Sequence, residues 1–180
     1  MRRVVVTGLG LVTPAGIGKE AFWSSLVEGK SGVGKISKYD MSGYPVQIGA
    51  EVKDFDPSKY IDSKEIPRTD LFVQYALAAA MLCVQDSKIN LESSNRDRIG
   101  TLISTGIGGL QTIEKNIMAR IEKGPTRVSP LFVPMMIGNM ASAHVSMKYG
   151  LRGPSSNIVT ACATSNYALA EASEMIKRDD

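Results

Sequence analysis

Cys162 lies in the segment Thr160-Ala161-Cys162-Ala163-Thr164-Ser165, between a strand-like run, Asn157 to Ala161, and a helical run, Ser165 to Lys177. A cysteine in so tight a turn stands at the positive end of the helix that follows. Backbone N–H groups there favour a thiolate and can also hold an oxyanion. Ala161 and Ala163 are small enough to permit a sharp bend and to leave room for a substrate. The arrangement is that of a nucleophile elbow, although the residues do not match G-x-S-x-G. Its chemistry would be nucleophilic attack through sulfur. Local chemistry leaves a second reading open, a buried small apolar residue, because free cysteine is among the most buried residue types. Cys83 is the internal comparison. Phe72, Ala76, Ala79 and Cys83 repeat at helical spacing, so this second thiol reads as part of an apolar helix face.

Other chemistries find little support. The two cysteines are too far apart for a C-x-x-C motif, and a single histidine, His144, argues against a zinc site. No residues form a credible metal cluster, and no metal is expected. A formal net charge of +3, with no Lys/Arg run interleaved with aromatics, argues against nucleic acid and is compatible with a weakly acidic partner. Thr7-Gly8-Leu9-Gly10 after a β-branched run invites a dinucleotide reading. It fails where Val12-Thr13-Pro14 follows, because Pro14 sits where the pyrophosphate helix would open. The cluster Gly106-Ile107-Gly108-Gly109 is not followed by Gly-Lys-Ser/Thr, so it is either a plain turn or a close backbone approach. The start, Met1-Arg2-Arg3-Val4-Val5-Val6, is broken by Thr7-Gly8 and Gly10 before a signal peptide could form, and reads as a strand. No stretch is apolar enough to cross a bilayer, and the free thiols suit a cytoplasmic protein.

The elements that must position Cys162 follow from the pattern. Strands are expected at Arg3 to Thr7, Val46 to Val52, Arg98 to Ser104 and Asn157 to Ala161. Helices are expected at Lys19 to Glu28, from Pro67 to near Ser87, from Leu110 to Glu122 and at Ser165 to Lys177. The methionine-rich stretch Pro130 to Lys148 reads as a buried helix or an interface. The alternation of strands and helices argues an α/β layered fold. It is taken as one domain over residues 1–180, incomplete because a further strand is expected after the last helix. Uncovered apolar layers and open strand edges would favour aggregation.

Five motifs carry a resemblance over the whole chain. They are Arg3-Val4-Val5-Val6-Thr7-Gly8-Leu9-Gly10, Ser104-Thr105-Gly106-Ile107-Gly108-Gly109, Ser129-Pro130-Leu131-Phe132-Val133-Pro134, Tyr149-Gly150-Leu151-Arg152-Gly153-Pro154 and Thr160-Ala161-Cys162-Ala163-Thr164-Ser165. Together they resemble the N-terminal part of the type II β-ketoacyl-acyl-carrier-protein synthases, which elongate medium and long acyl chains. Thiolases, polyketide ketosynthases and type I synthases share the same elbow, and the whole-chain resemblance favours type II.

The resemblance implies a thiolase-like fold of two similar halves, layered αβαβα, of which this chain would be the N-terminal half without its end. It implies that Cys162 takes an acyl group from acyl-carrier protein and that malonyl-carrier protein then loses CO2 and attacks the held acyl group. The backbone N–H of Cys162 would be one oxyanion donor. Ile107, Phe132 and Ala161 match the acyl pocket, with Phe132 reaching the partner's pocket across a homodimer interface. The methionine-rich stretch then belongs to that interface. Lys64, Arg68 and Arg127 match positions that dock the acidic carrier, although Pro67 and Thr126 stand where relatives often carry basic residues. The family's two catalytic histidines and lysine lie in the second half. His144 matches neither histidine and takes a structural role. No cofactor is implied. This polypeptide alone is therefore expected not to complete condensation, and an inactive fragment is the alternative.

Overall fold

A computed structural model describes residues 3–179. Met1 and Arg2, the first residues of the signal-peptide comparison, and Asp180 lie outside the described residues. The chain opens with a short antiparallel pair, β1 (Val12–Thr13) and β2 (Gly16–Ile17), then helix α1 (Lys19–Val27). A second antiparallel pair follows, β3 (Val33–Lys35) with β4 (Ile48–Ala50). The long helix α2 (Leu71–Ser87) leads to β5 (Thr101–Leu102) and α3 (Leu110–Lys123). Two helices, α4 (Phe132–Met136) and α5 (Met140–Tyr149), precede β6 (Ser155–Ser156) and α6 (Thr164–Arg178). β5 and β6 are parallel, with Thr101 opposite Ser155 and Leu102 opposite Ser156.

The core lies where α2 packs on α5. Ile61, Val73, Leu77 and Val145 are buried together, with Tyr60, Phe72, Ile103 and Tyr149 against them. Removing these side chains from water is the main force holding the two helices together. α2 begins at Leu71 rather than Pro67. Asp70 is extended, and its carboxylate accepts the N–H of Phe72, as an N-cap should. Pro67 instead sits in a 3-10 turn, Ile66–Arg68.

Three other expectations are corrected. No ladder pairs Arg3 to Thr7 among the described residues, so it is not a strand. The motif after it packs on α2 instead. A Cβ on Gly10 would stand 1.8 Å from the Ala79 carbonyl oxygen, and one on Gly8 would stand 2.5 Å from that of Cys83. The glycines of Gly8-Leu9-Gly10 thus serve helix contact rather than a ligand. The expected strand at Arg98 to Ser104 contracts to Thr101–Leu102, because Arg96–Arg98 winds into a 3-10 turn. The run Pro130 to Lys148 is two helices, broken where Ile137 turns extended.

Large apolar side chains face outward at Val6, Trp23, Ile121 and Leu169. No helix among the described residues is long and apolar enough to cross a membrane.

Candidate active site

The expected strand at Asn157 to Ala161 does not form a ladder. Direct pairing of β5 with β6 stops at Leu102 and Ser156. Beyond that point side chains stand between the two backbones. Ser142, almost fully buried on α5, accepts the Ile103 N–H at 2.8 Å and donates to the Ser156 carbonyl at 2.7 Å. Ser104 Oγ accepts the Ile158 N–H at 3.0 Å, and Asn157 Oδ1 accepts the Thr105 N–H at 3.3 Å. The two strand tails therefore leave the ladder while remaining tied through side chains. One runs to the Ile107 loop and the other to Cys162.

The second tail ends in a sharp reversal. Ala161 takes a left-handed conformation with φ +49°, uncommon for a residue with a Cβ, and a 3-10 turn, Ala161–Ala163, leads directly into α6. Thr164, buried at the start of α6, pins the reversal by accepting the Thr160 N–H at 3.0 Å. The Ala163 N–H closes the turn on the Thr160 carbonyl at 3.0 Å. Cys162 is exposed at the apex. Among the described residues no acceptor takes its N–H. A free thiol, an unpaired N–H and a helix N-terminus converge at this point, as attack by sulfur on a carbonyl with oxyanion stabilisation requires. Beneath it, Thr160 Oγ1 is buried without a hydrogen-bond partner among the described residues.

Cys83 contrasts with it. Its half-buried sulfur lies 3.5 Å from the Gly8 carbonyl, and burial pushes its thiol pKa up. The helix-face reading of Cys83 agrees with this setting.

The Gly106–Gly109 segment is a close backbone approach. The Gly109 N–H bonds the Met136 carbonyl at 2.9 Å, and a Cβ on Gly108, at φ +87°, would stand 2.2 Å from the same oxygen. Ile107 is exposed at the tip of this loop. Because Met136 ends α4 and Phe132 begins it, the loop and the half-buried Phe132 are held as one unit. Ile107, Phe132, Ala161 and Cys162 thus stand on segments tied by the bonds just described.

Of the three basic positions, Lys64 and Arg68 are exposed around the turn before Asp70, and Arg68 faces Glu65 at 3.8 Å. Asp70 holds the N-terminal end of α3 through Thr112, whereas exposed Arg127 follows the other end of α3. His144 is half-buried on α5 and lines a cavity of about 340 Å³ with Ile61, Asp62, Glu65, Leu77, Met147 and Lys148. Burial lowers its pKa, partly opposed by the Glu65 charge. Cys162 is not part of that cavity.

Sequence reasoning missed Ser104, Ser142, Asn157 and Asp70. An Asn within a run otherwise rich in β-branched residues was the available signal for Asn157. Asp immediately before an apolar helical run was the signal for Asp70.

The comparisons with known proteins agree with this geometry. A 3-oxoacyl-[acyl-carrier-protein] synthase 2 from Coxiella burnetii is 47% identical over 179 residues, which cover 99% of this chain and 43% of that protein. The ishigamide ketosynthase/chain length factor superposes with a TM-score of 0.92 at 25% identity, over 99% of this chain and 45% of that one. A type II PKS acyl-carrier protein in complex with its ketosynthase matches with a TM-score of 0.85 at 24% identity, over 99% of this chain and 47% of that one. These neighbours are ketosynthases, so the α/β thiolase-like fold is established, and the chain spans under half the length of the proteins it matches. The family described as "Beta-ketoacyl synthase, N-terminal domain" matches residues 1–180. The chain belongs to the β-ketoacyl synthase family and corresponds to its N-terminal domain.

Proposed function

We propose that this chain is the nucleophile-bearing part of a condensing enzyme of type II fatty-acid synthesis. The observation that carries the reading is Cys162, exposed on a strained elbow with its own N–H unpaired. The Cys162 thiolate attacks the carbonyl carbon of an acyl-carrier thioester. A carbon–sulfur bond to Cys162 forms, the bond to the carrier sulfur breaks, and the carrier thiolate leaves to take up a proton. Malonyl-carrier protein then loses CO2, and its carbanion attacks the held acyl carbon. The product is 3-oxoacyl-carrier protein, and the Cys162 thiolate is released. The N–H of Cys162 holds the oxyanion in both halves.

Ile107, Phe132 and Ala161 bound the acyl chain, and the working enzyme is a homodimer in the cytoplasm with Phe132 at the partner's pocket. Acyl-carrier protein docks on Lys64, Arg68 and Arg127. The 47% identity to the 3-oxoacyl-[acyl-carrier-protein] synthase 2 relative supports a fatty-acid substrate. Condensation needs the histidines and lysine that the resemblance puts in the second half, so residues 1–180 alone accept acyl groups without completing the reaction.

The test is product formation from acyl- and malonyl-carrier protein. The full-length enzyme bearing this N-terminal domain forms 3-oxoacyl product, and Cys162→Ala abolishes it. Product from residues 1–180 alone would refute the division of labour, and full activity of Cys162→Ala would refute the nucleophile.

A further inference from the structure

Past the end of the β5–β6 ladder, one side chain links the segments that carry Ile107, Phe132 and Cys162. Asn157 Oδ1 takes the Thr105 N–H at 3.3 Å, at the base of the Ile107 loop. Its Nδ2 lies so close to Gly138 that a Cβ there would approach to 2.8 Å. Gly138 joins α4, the helix of Phe132, to α5. Asn157 itself stands on the tail that ends in Cys162. Thr105 Cγ2 closes the cluster, 3.0 Å from the same ideal Cβ position.

A direct ladder would hold the two tails about 4.8 Å apart. An amide in place of the backbone partner bridges the two tails and fixes the gap between them, because it is planar and its acceptor is engaged. On the reading of Cys162 as the acyl carrier, the held chain runs between the Ile107 loop and the elbow.

We infer that Asn157 is a positioning residue that sets the width of the acyl channel and hence the acyl lengths accepted. The inference rests on the reading of Cys162 as the acyl-carrying nucleophile. Asn157 does not touch the reacting atoms. It acts through Thr105 and Gly138 on where Ile107 and Phe132 stand relative to the sulfur. The side chain fits this role because it is unionised, so the spacing does not depend on pH.

Two readouts on residues 1–180 test this, with Asn157→Ala and the conservative Asn157→Asp, which retains an acceptor for Thr105. The first is amide hydrogen exchange. In Asn157→Ala, the Thr105 amide exchanges roughly tenfold faster, the size expected from losing one partly buried hydrogen bond, while Val73 and Val145 are unchanged. The second is the ratio of Cys162 acylation rates with palmitoyl and hexanoyl thioesters. That ratio shifts roughly tenfold in Asn157→Ala and returns to the parent value in Asn157→Asp. Should the alanine variant be recovered unfolded, Asn157→Ser, too short to span the gap, takes its place with the same readouts. Unchanged exchange at Thr105, or an unchanged ratio beside a working parent, overturns the role of Asn157, as does an Asp variant that behaves like Ala. A folded parent that is never acylated overturns the assignment of Cys162 as an independent acyl acceptor, and exchange at Thr105 then decides the role of Asn157 by itself.

Discussion

Asp70 Oδ2 accepts both the backbone N–H of Thr112, at 3.2 Å, and its hydroxyl, at 2.5 Å. Its other oxygen caps α2 through Phe72 at 3.3 Å. One buried carboxylate therefore serves the N-termini of two helices, where helix dipoles favour negative charge. It also fixes the base of the Ile107 loop, since a Cβ on Gly109 would stand 2.9 Å from Oδ2. Asp70→Ala removes two caps and leaves the Thr112 hydroxyl without its acceptor. The expected loss is about 2–4 kcal/mol, read as a lowered urea midpoint. Asp70→Asn, which keeps an acceptor, loses less than half of that.

The glycines of the first motif give a sharper steric test. Gly10→Ala drives a Cβ into the Ala79 carbonyl, a backbone atom that cannot rotate away, and is expected to cost about 3 kcal/mol or more. Gly18→Ala meets no atom within 4 Å but carries φ +87° and ψ 156°, a region almost confined to glycine, so the expected cost is about 1–3 kcal/mol from backbone strain alone. Thermal melts of the two variants should rank in that order. Equal melting temperatures would remove the close-packing account of this motif.

These tests also mark what was legible beforehand. The elbow could be read from Cys162 between small neighbours and ahead of a helix, because local residue types dictate a tight turn. The helices were legible from their apolar spacing. The strands were legible only in part: β4 and β5 fall within Val46 to Val52 and Arg98 to Ser104, but a ladder depends on a distant partner that local pattern does not reveal. Val4 to Thr7 has every β-branched signal and finds no partner among the described residues. Asn157 to Ala161 is held by Ser104 and Asn157 side chains in place of backbone pairing. Pro67 attracted the start of α2 and masked the cap at Asp70.

His144 supplies a pH dependence with a definite sign. Burial lowers its folded-state pKa below the ordinary value of about 6.5. Between the two values the unfolded chain binds more protons, so stability falls as pH drops below about 6.5 and levels off once pH passes the folded value. Melting temperature measured from pH 7.5 down to pH 5 should decline, and His144→Gln should flatten that decline. A parent profile already flat across this window would contradict the burial argument.

Docking on Lys64 and Arg68 predicts a binding effect rather than a chemical one. Charge reversal of both to Glu in the full-length enzyme should raise the apparent KM for carrier substrates several-fold and leave kcat nearly unchanged. The difference should shrink at high salt. An unaltered KM at low salt would remove these two residues from the docking surface.

The two thiols offer the most direct test of the central claim. Cys162 is exposed on the elbow, whereas the thiol pKa of Cys83 is pushed up by burial against Gly8. Purified residues 1–180 are incubated with a long-chain acyl-carrier thioester, and the adduct is read by intact mass and peptide mapping, with Cys162→Ala and Cys83→Ala alongside. The account predicts one acyl group, on Cys162, present in the parent and in Cys83→Ala and absent from Cys162→Ala. An adduct on Cys83, or none in a folded and monodisperse sample, would contradict the claim that this elbow activates its own thiol.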